Sequence, residues 1–159
     1  MPGMSGINVT EILRSEFEGL RQRVADNIVA TGRNATGKTV AGLSVEANGL
    51  SGALTGREAF ATLEIGSRPW AHQYPRPPKW FAELIQEWID AKRLRLNAYA
   101  VATTLMRDGS RLRRQGGKND VYTPEIPRTL EAITRRVTSQ MQVLVTDRLN
   151  RTIPKVTEI

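Results

Sequence analysis

Gly32-Arg33-Asn34-Ala35-Thr36-Gly37-Lys38-Thr39 has the glycine and lysine spacing of a phosphate-binding loop, and its setting decides the fold. In a working loop of that kind a strand leads in and a helix leads out, so backbone amides and the helix N-terminus converge on phosphate. Here Leu13, Phe17, Leu20, Val24 and Ile28 recur every three or four residues upstream, which places them on one face of a helix. Asn8-Val9-Thr10-Glu11 has the spacing of a capping box at its start, and Gly32 ends the pattern. Downstream, Val40, Leu43 and Val45 lie in a short, partly alternating stretch that reads as a half-buried strand from Lys38 onward. No apolar strand ending in Asp follows to hold magnesium. The stretch therefore reads as a helix-to-strand turn with Gly37 at a special backbone angle. Nucleotide binding through Lys38 is kept only as a third functional reading.

Working outward, Asn48-Gly49-Leu50-Ser51-Gly52 is a turn signal, loose for a two-residue hairpin. A further strand is expected over residues 58–65, anchored by Phe60, Leu63 and Ile65. Pro77 and Pro78 lead into a helix whose apolar stripe is Phe81, Leu84, Ile85 and Trp88. Asn97 is placed to cap a second helix carrying Val101, Ala102, Leu105 and Met106, closed by Asp108-Gly109. Residues 110–123 read as a polar connection. The longest helix follows Pro124 and Pro127, with Leu130, Ile133, Val137, Met141 and Leu144 at helical spacing. The expected fold class is α+β: a small antiparallel sheet of two to three strands packed against an N-terminal helix, two middle helices and a long C-terminal helix. One domain over residues 8–150 is expected, with flexible termini at 1–7 and 151–159, where Ile153 and Val156 are available to dock on a partner.

The chain of 159 residues carries a net charge of +7 and has no cysteine. Disulfides, thiolate catalysis and cysteine-based metal sites are thereby excluded. No apolar run approaches the roughly 20 residues of a bilayer span, so no membrane association is expected. The first residues have neither the basic nor the apolar segment of a secretory signal. Residues 92–118 hold eight basic side chains against one acidic side chain, Asp108, so this segment carries the whole charge excess. Such a patch attracts phosphate backbones or acidic protein surfaces, or simply keeps a protein soluble.

Few residues offer covalent chemistry. His72 is the only histidine and has no acidic neighbour in sequence, so a zinc or general-base role is not expected. Glu83 and Glu87 lie one helical turn apart, but no histidine stands three residues after either, and an ordinary solvent face is the reading. Glu64 ends the expected strand and is placed to pair with Arg68 or with a neighbouring subunit. Trp70, Tyr74, Trp80, Phe81 and Trp88 bring all three tryptophans into one short stretch. Aromatics beside arginines form interface anchors or stack on bases; Phe81 and Trp88 are expected in the core, with Trp70 and Trp80 left open.

The order of these pieces is similar to that of a known family. An N-terminal helix, Ala35-Thr36-Gly37-Lys38-Thr39, a hairpin sheet and then Leu63-Glu64-Ile65-Gly66-Ser67-Arg68 resemble the tail-completion and head–tail joining proteins of tailed phages. Pro77-Pro78-Lys79-Trp80-Phe81 leading to Trp88-Ile89, and Val121-Tyr122-Thr123-Pro124-Glu125-Ile126, continue the likeness over residues 12–147. The resemblance implies a non-enzymatic virion component, assembled in the host cytoplasm and needing no cofactor or metal. It implies ring-like association with copies of itself, contacts with portal or tail-tube proteins, and lumen-facing basic groups near packaged DNA. Arg68-Pro69-Trp70-Ala71-His72 replaces a more glycine-rich loop of that family, and the middle helix pair looks inserted.

The interface residues expected on this reading are Glu64, Arg68, Trp70 and Trp80. Arg107, Arg111, Arg113, Arg114 and Lys118 form the expected patch for DNA or an acidic partner, since arginine forks suit carboxylate and phosphate alike. The rival is a nucleic-acid-binding regulator using residues 92–118.

Overall fold

Why the first helix forms is visible at its cap. The Asn8 side chain accepts a hydrogen bond from the Glu11 backbone N–H at 3.1 Å, satisfying one of the free amides of the first turn. Helix α1, Val9–Ala30, then buries Ile12, Leu13, Leu20, Val24, Ala25 and Ile28 along one side, as the apolar spacing requires. The structure, a computed structural model, describes residues 7–152, leaving aside the side chains of Glu58 and Ala59. Ile153 and Val156 lie outside the described residues.

The glycine–lysine turn departs from the expected strand. Gly37 has φ +72° and caps a single helical turn, α2, Lys38–Ala41; the first strand begins only at Ser44. The left-handed glycine redirects the chain so that the Ala41 and Gly42 amides bond back to the Gly37 and Lys38 carbonyls. Val40 and Leu43, three residues apart, thereby reach the same core.

Strands β1, Ser44–Asn48, and β2, Ser51–Thr55, pair antiparallel from Ser44↔Thr55 to Asn48↔Ser51, so the loop is the two residues Gly49-Leu50 after all. Val45, Ala47, Gly52 and Leu54 alternate as the half-buried face, while Ser44, Glu46, Asn48, Ser51, Ala53 and Thr55 face solvent. Both strands and a long C-terminal helix pack on α1, which is the central element.

The third strand expected over 58–65 is not formed. A 3₁₀ turn, Glu58–Ala61, runs into a helical turn, α3, Thr62–Ile65. Phe60 and Leu63 stand three residues apart and pack on the same cluster, which a helical path allows and a pleated strand does not. The fold class is thus α+β with a two-stranded antiparallel sheet among the described residues, packed against the N-terminal helix, the middle helices and the long C-terminal helix.

Helices α4, Lys79–Ala91, and α5, Ala98–Asp108, form a hairpin with its own core of Ile85, Ile89 and Ala102, flanked by Phe81, Ala98, Val101 and Leu105. Asn97 caps α5 through a 2.9 Å bond from the Ala100 N–H. This core is separate from the main one of α1, Leu43, Leu63 and Val121. The hairpin is tied back through the Trp70 N–H to the Met106 carbonyl at 2.8 Å and the Ser110 N–H to the Ser67 carbonyl at 3.1 Å. The expected polar connection contains one helical turn, α6, Arg111–Arg114, capped by Ser110. Helix α7, Glu125–Thr152, starts before Pro127, which stands in the first turn where its missing N–H is harmless.

Candidate interaction surfaces

Glu64 corrects the expectation most sharply. At 1 % exposure it presents nothing to a neighbouring subunit. Its Oε1 accepts from the Thr123 N–H at 3.2 Å, and its backbone carbonyl accepts from the Asn119 N–H at 2.8 Å. The Leu63 carbonyl beside it takes bonds from the Arg33 guanidinium, 2.8 Å, and the Asn119 side chain, 3.3 Å. Glu64 therefore positions the segment that leads into α7, and no bond joins it to Arg68. Burial, followed by the Glu64 charge and a hydrogen bond to it, holds the Tyr122 phenol above its ordinary value.

The other three expected interface residues lie at one end of the α4–α5 hairpin. Arg68 is exposed, Trp70 is half-buried and Trp80 is 58 % exposed. Trp70 and Trp80 stack with centroids 6.1 Å apart and an interplanar angle of 19°, and Phe81 meets both rings edge-on. Trp88 is not core: it is exposed on the side of α4 that faces the glycine–lysine turn.

The basic residues divide into two groups. Arg107 is committed to Asp108 through two bonds of 2.8 and 2.9 Å, which raise the guanidinium and lower the carboxyl relative to their ordinary values. Arg111 and Arg114 are exposed on α6, Arg113 is half-buried there, and Lys118 is exposed four residues further on. Arg111, Arg113 and Lys118 form no ion pair among the described residues, and Arg114 acts on Asp108 only through space.

Two features escape the sequence reading. The first is a cleft of about 750 Å³ between the glycine–lysine turn and the α4–α5 hairpin. Arg33, Lys38 and Arg57 come to it from the main body, and Trp80, Leu84, Trp88 and Leu105 from the hairpin. Lys38 is bound to Glu87 at 2.5 Å, so the lysine of the phosphate-loop spacing has a carboxylate partner. Burial lowers the Arg33 guanidinium, which bonds the Leu63 carbonyl. The second feature is the far half of α7. Its first turns are fixed to α1 by Arg23 with Glu125, 2.6 Å, Arg23 with Thr129, 2.8 Å, and Arg136 with Glu16, 2.7 Å. From residue 138 to 152 every side chain except Leu144 is exposed, including Met141, Val143, Val145 and Leu149. That is a projecting arm of roughly 22 Å.

Among the described residues no cluster of three or more histidine, aspartate and glutamate side chains is placed to hold a metal, and no helix is long and apolar enough to cross a membrane. No family model, no curated protein and no solved structure matches this chain.

Proposed function

We infer that this chain is a structural protein of the head–tail connector, neck or tail terminus of a tailed phage, acting by oligomeric assembly with copies of itself and with portal or tail-tube proteins. The observation that carries the assembly part is the projecting half of α7. That half continues a helix already anchored in its first turns, but it lacks the tertiary packing from which most helical stability in proteins comes. Apolar side chains on such an arm gain stability when a neighbour covers them. The β1–β2 hairpin adds a second contact surface, since no further strand pairs with either of its edges among the described residues. The phage assignment rests on the order of motifs from the N-terminal helix to Val121-Tyr122-Thr123-Pro124 and on nothing in the side-chain geometry.

The test is assembly of the full chain, alone and mixed with any portal and tail-tube proteins found encoded beside its gene. Light scattering and negative-stain imaging are expected to show rings or a capped tube. A persistent monomer in every mixture, or a gene with no virion genes nearby, overturns the reading.

Arg111 and Arg114, exposed on one turn of α6, favour nucleic acid as a second reading, either as packaged DNA in the virion or as the target of a regulator. Binding to duplex or single strands then falls steeply with salt, and drops when Arg111, Arg113 and Arg114 are neutralised together. The nucleotide reading has little support: the turn is entered from α1, and the helix it opens is four residues long.

A further inference from the structure

The cleft between the two cores is independent of the α7 arm and has a chemistry of its own. Its volume, about 750 Å³, lies within the range of sites that enclose a ligand or a few side chains. One wall is apolar and open: Trp80, Leu84 and Trp88 are 58 %, 46 % and 38 % exposed, although all three belong to the apolar side of α4. The main body contributes cations, Arg33, Lys38 and Arg57. Lys38 is held by Glu87 and Arg33 by the Leu63 carbonyl, whereas the Arg57 guanidinium has no ion pair or hydrogen bond among the described residues. Thr36, Thr39, Ser67 and Ser110 add hydroxyls around this boundary.

We propose that the cleft receives an acidic peptide segment of a partner protein, with a large apolar side chain seated against Trp88 and Leu105 and a flanking carboxylate on Arg57. Charge complementarity selects the occupant. The cleft's cations have one bound carboxylate, Glu87, and the Arg57 guanidinium has no partner among the described residues, so an anion is favoured and a basic or neutral segment is not. The guanidinium fork pairs a carboxylate in two parallel bonds. A nucleic-acid strand fits less well, because it needs a track of cations along its backbone, whereas Leu84, Ile85, Val101 and Leu105 line the space with aliphatic groups.

A random-peptide display library panned on the full-length chain tests this directly. The enriched sequences are expected to place Asp or Glu beside Trp, Phe or Leu, and a selected peptide to bind saturably by fluorescence polarisation. Arg57→Glu and Trp88→Ser are each expected to weaken that peptide at least about tenfold, as is replacing its carboxylates by amides. Both positions are solvent-facing, and Leu84→Ser serves if circular dichroism shows the Trp88→Ser chain to be misfolded. No enrichment, enrichment without acidic residues, or equal binding to the variants overturns the proposal. So does a single-stranded oligonucleotide that outcompetes the peptide and is lost in the same variants, which would make the cleft a nucleic-acid site. Oligomeric state does not enter any of these readouts.

Discussion

Glu64 shows how much one buried carboxylate does in this chain. Its side chain and carbonyl hold residues 119–123, and Asn27 donates to the Val121 carbonyl at 3.0 Å from the other side. Glu64→Ala leaves the Thr123 N–H without its acceptor, and a loss of about 1–3 kcal/mol is expected in urea unfolding. Tyr122 reports the same contact. Because its phenol ionises above the ordinary value of about 10, the neutral ring favours the fold below that pH. This contribution is lost as the pH rises through the folded-state value. Ultraviolet titration is expected to show a late phenolate, moved downward by Glu64→Gln. Gly66 is equally constrained. With φ +76°, a Cβ there would sit 2.1 Å from Ser110 Oγ and 2.9 Å from the Arg113 amide. Gly66→Ala is expected to cost more than about 2 kcal/mol, read as a fall in Tm.

Among the elements, α7 has two halves with different work. The near half is anchored to α1 by Arg23 and Arg136, and buries Thr129. The far half touches little. A chain ending at Gln140 is therefore expected to keep its Tm within a few degrees, because few buried contacts are removed. The same truncation is expected to abolish the assembly seen by light scattering. An equal loss of Tm and assembly would show that the arm folds onto the body instead of onto neighbours. The hairpin α4–α5 depends on its cap, and Asn97→Ala is expected to cost about 1 kcal/mol by removing the acceptor for the Ala100 N–H.

For the whole molecule, the net charge of +7 and its concentration in residues 92–118 set the long-range field. Arg107 is paired with Asp108, so the excess that remains is Arg111, Arg113, Arg114 and Lys118 on and after α6, together with Lys92, Arg93 and Arg95 between α4 and α5. Neutralising Arg111, Arg114 and Lys118 is expected to remove low-salt retention of DNA in a filter-binding assay while leaving oligomer size unchanged. Retention that survives about 200 mM salt would mean contacts beyond phosphate pairing. The separate cores predict two levels of amide protection in hydrogen exchange, with the α4–α5 hairpin opening at lower free energy than α1.

The apolar period of α1, the capping by Asn8 and Asn97, the proline before α4 and the α+β class were legible in the sequence, because each follows from neighbours within about four residues. Residues 38–43 and 58–65 were not. Their short apolar runs fit a strand or a helical turn equally, and packing of Val40, Phe60 and Leu63 on α1's core decided for helix. The local sequence likewise carried no mark that Glu64 is buried, that Lys38 meets Glu87 or that Arg57 and Trp88 line one cleft. Those partners lie tens of residues apart, so only packing within the main core, for Glu64, and between the main body and the α4–α5 hairpin, for the others, determines them.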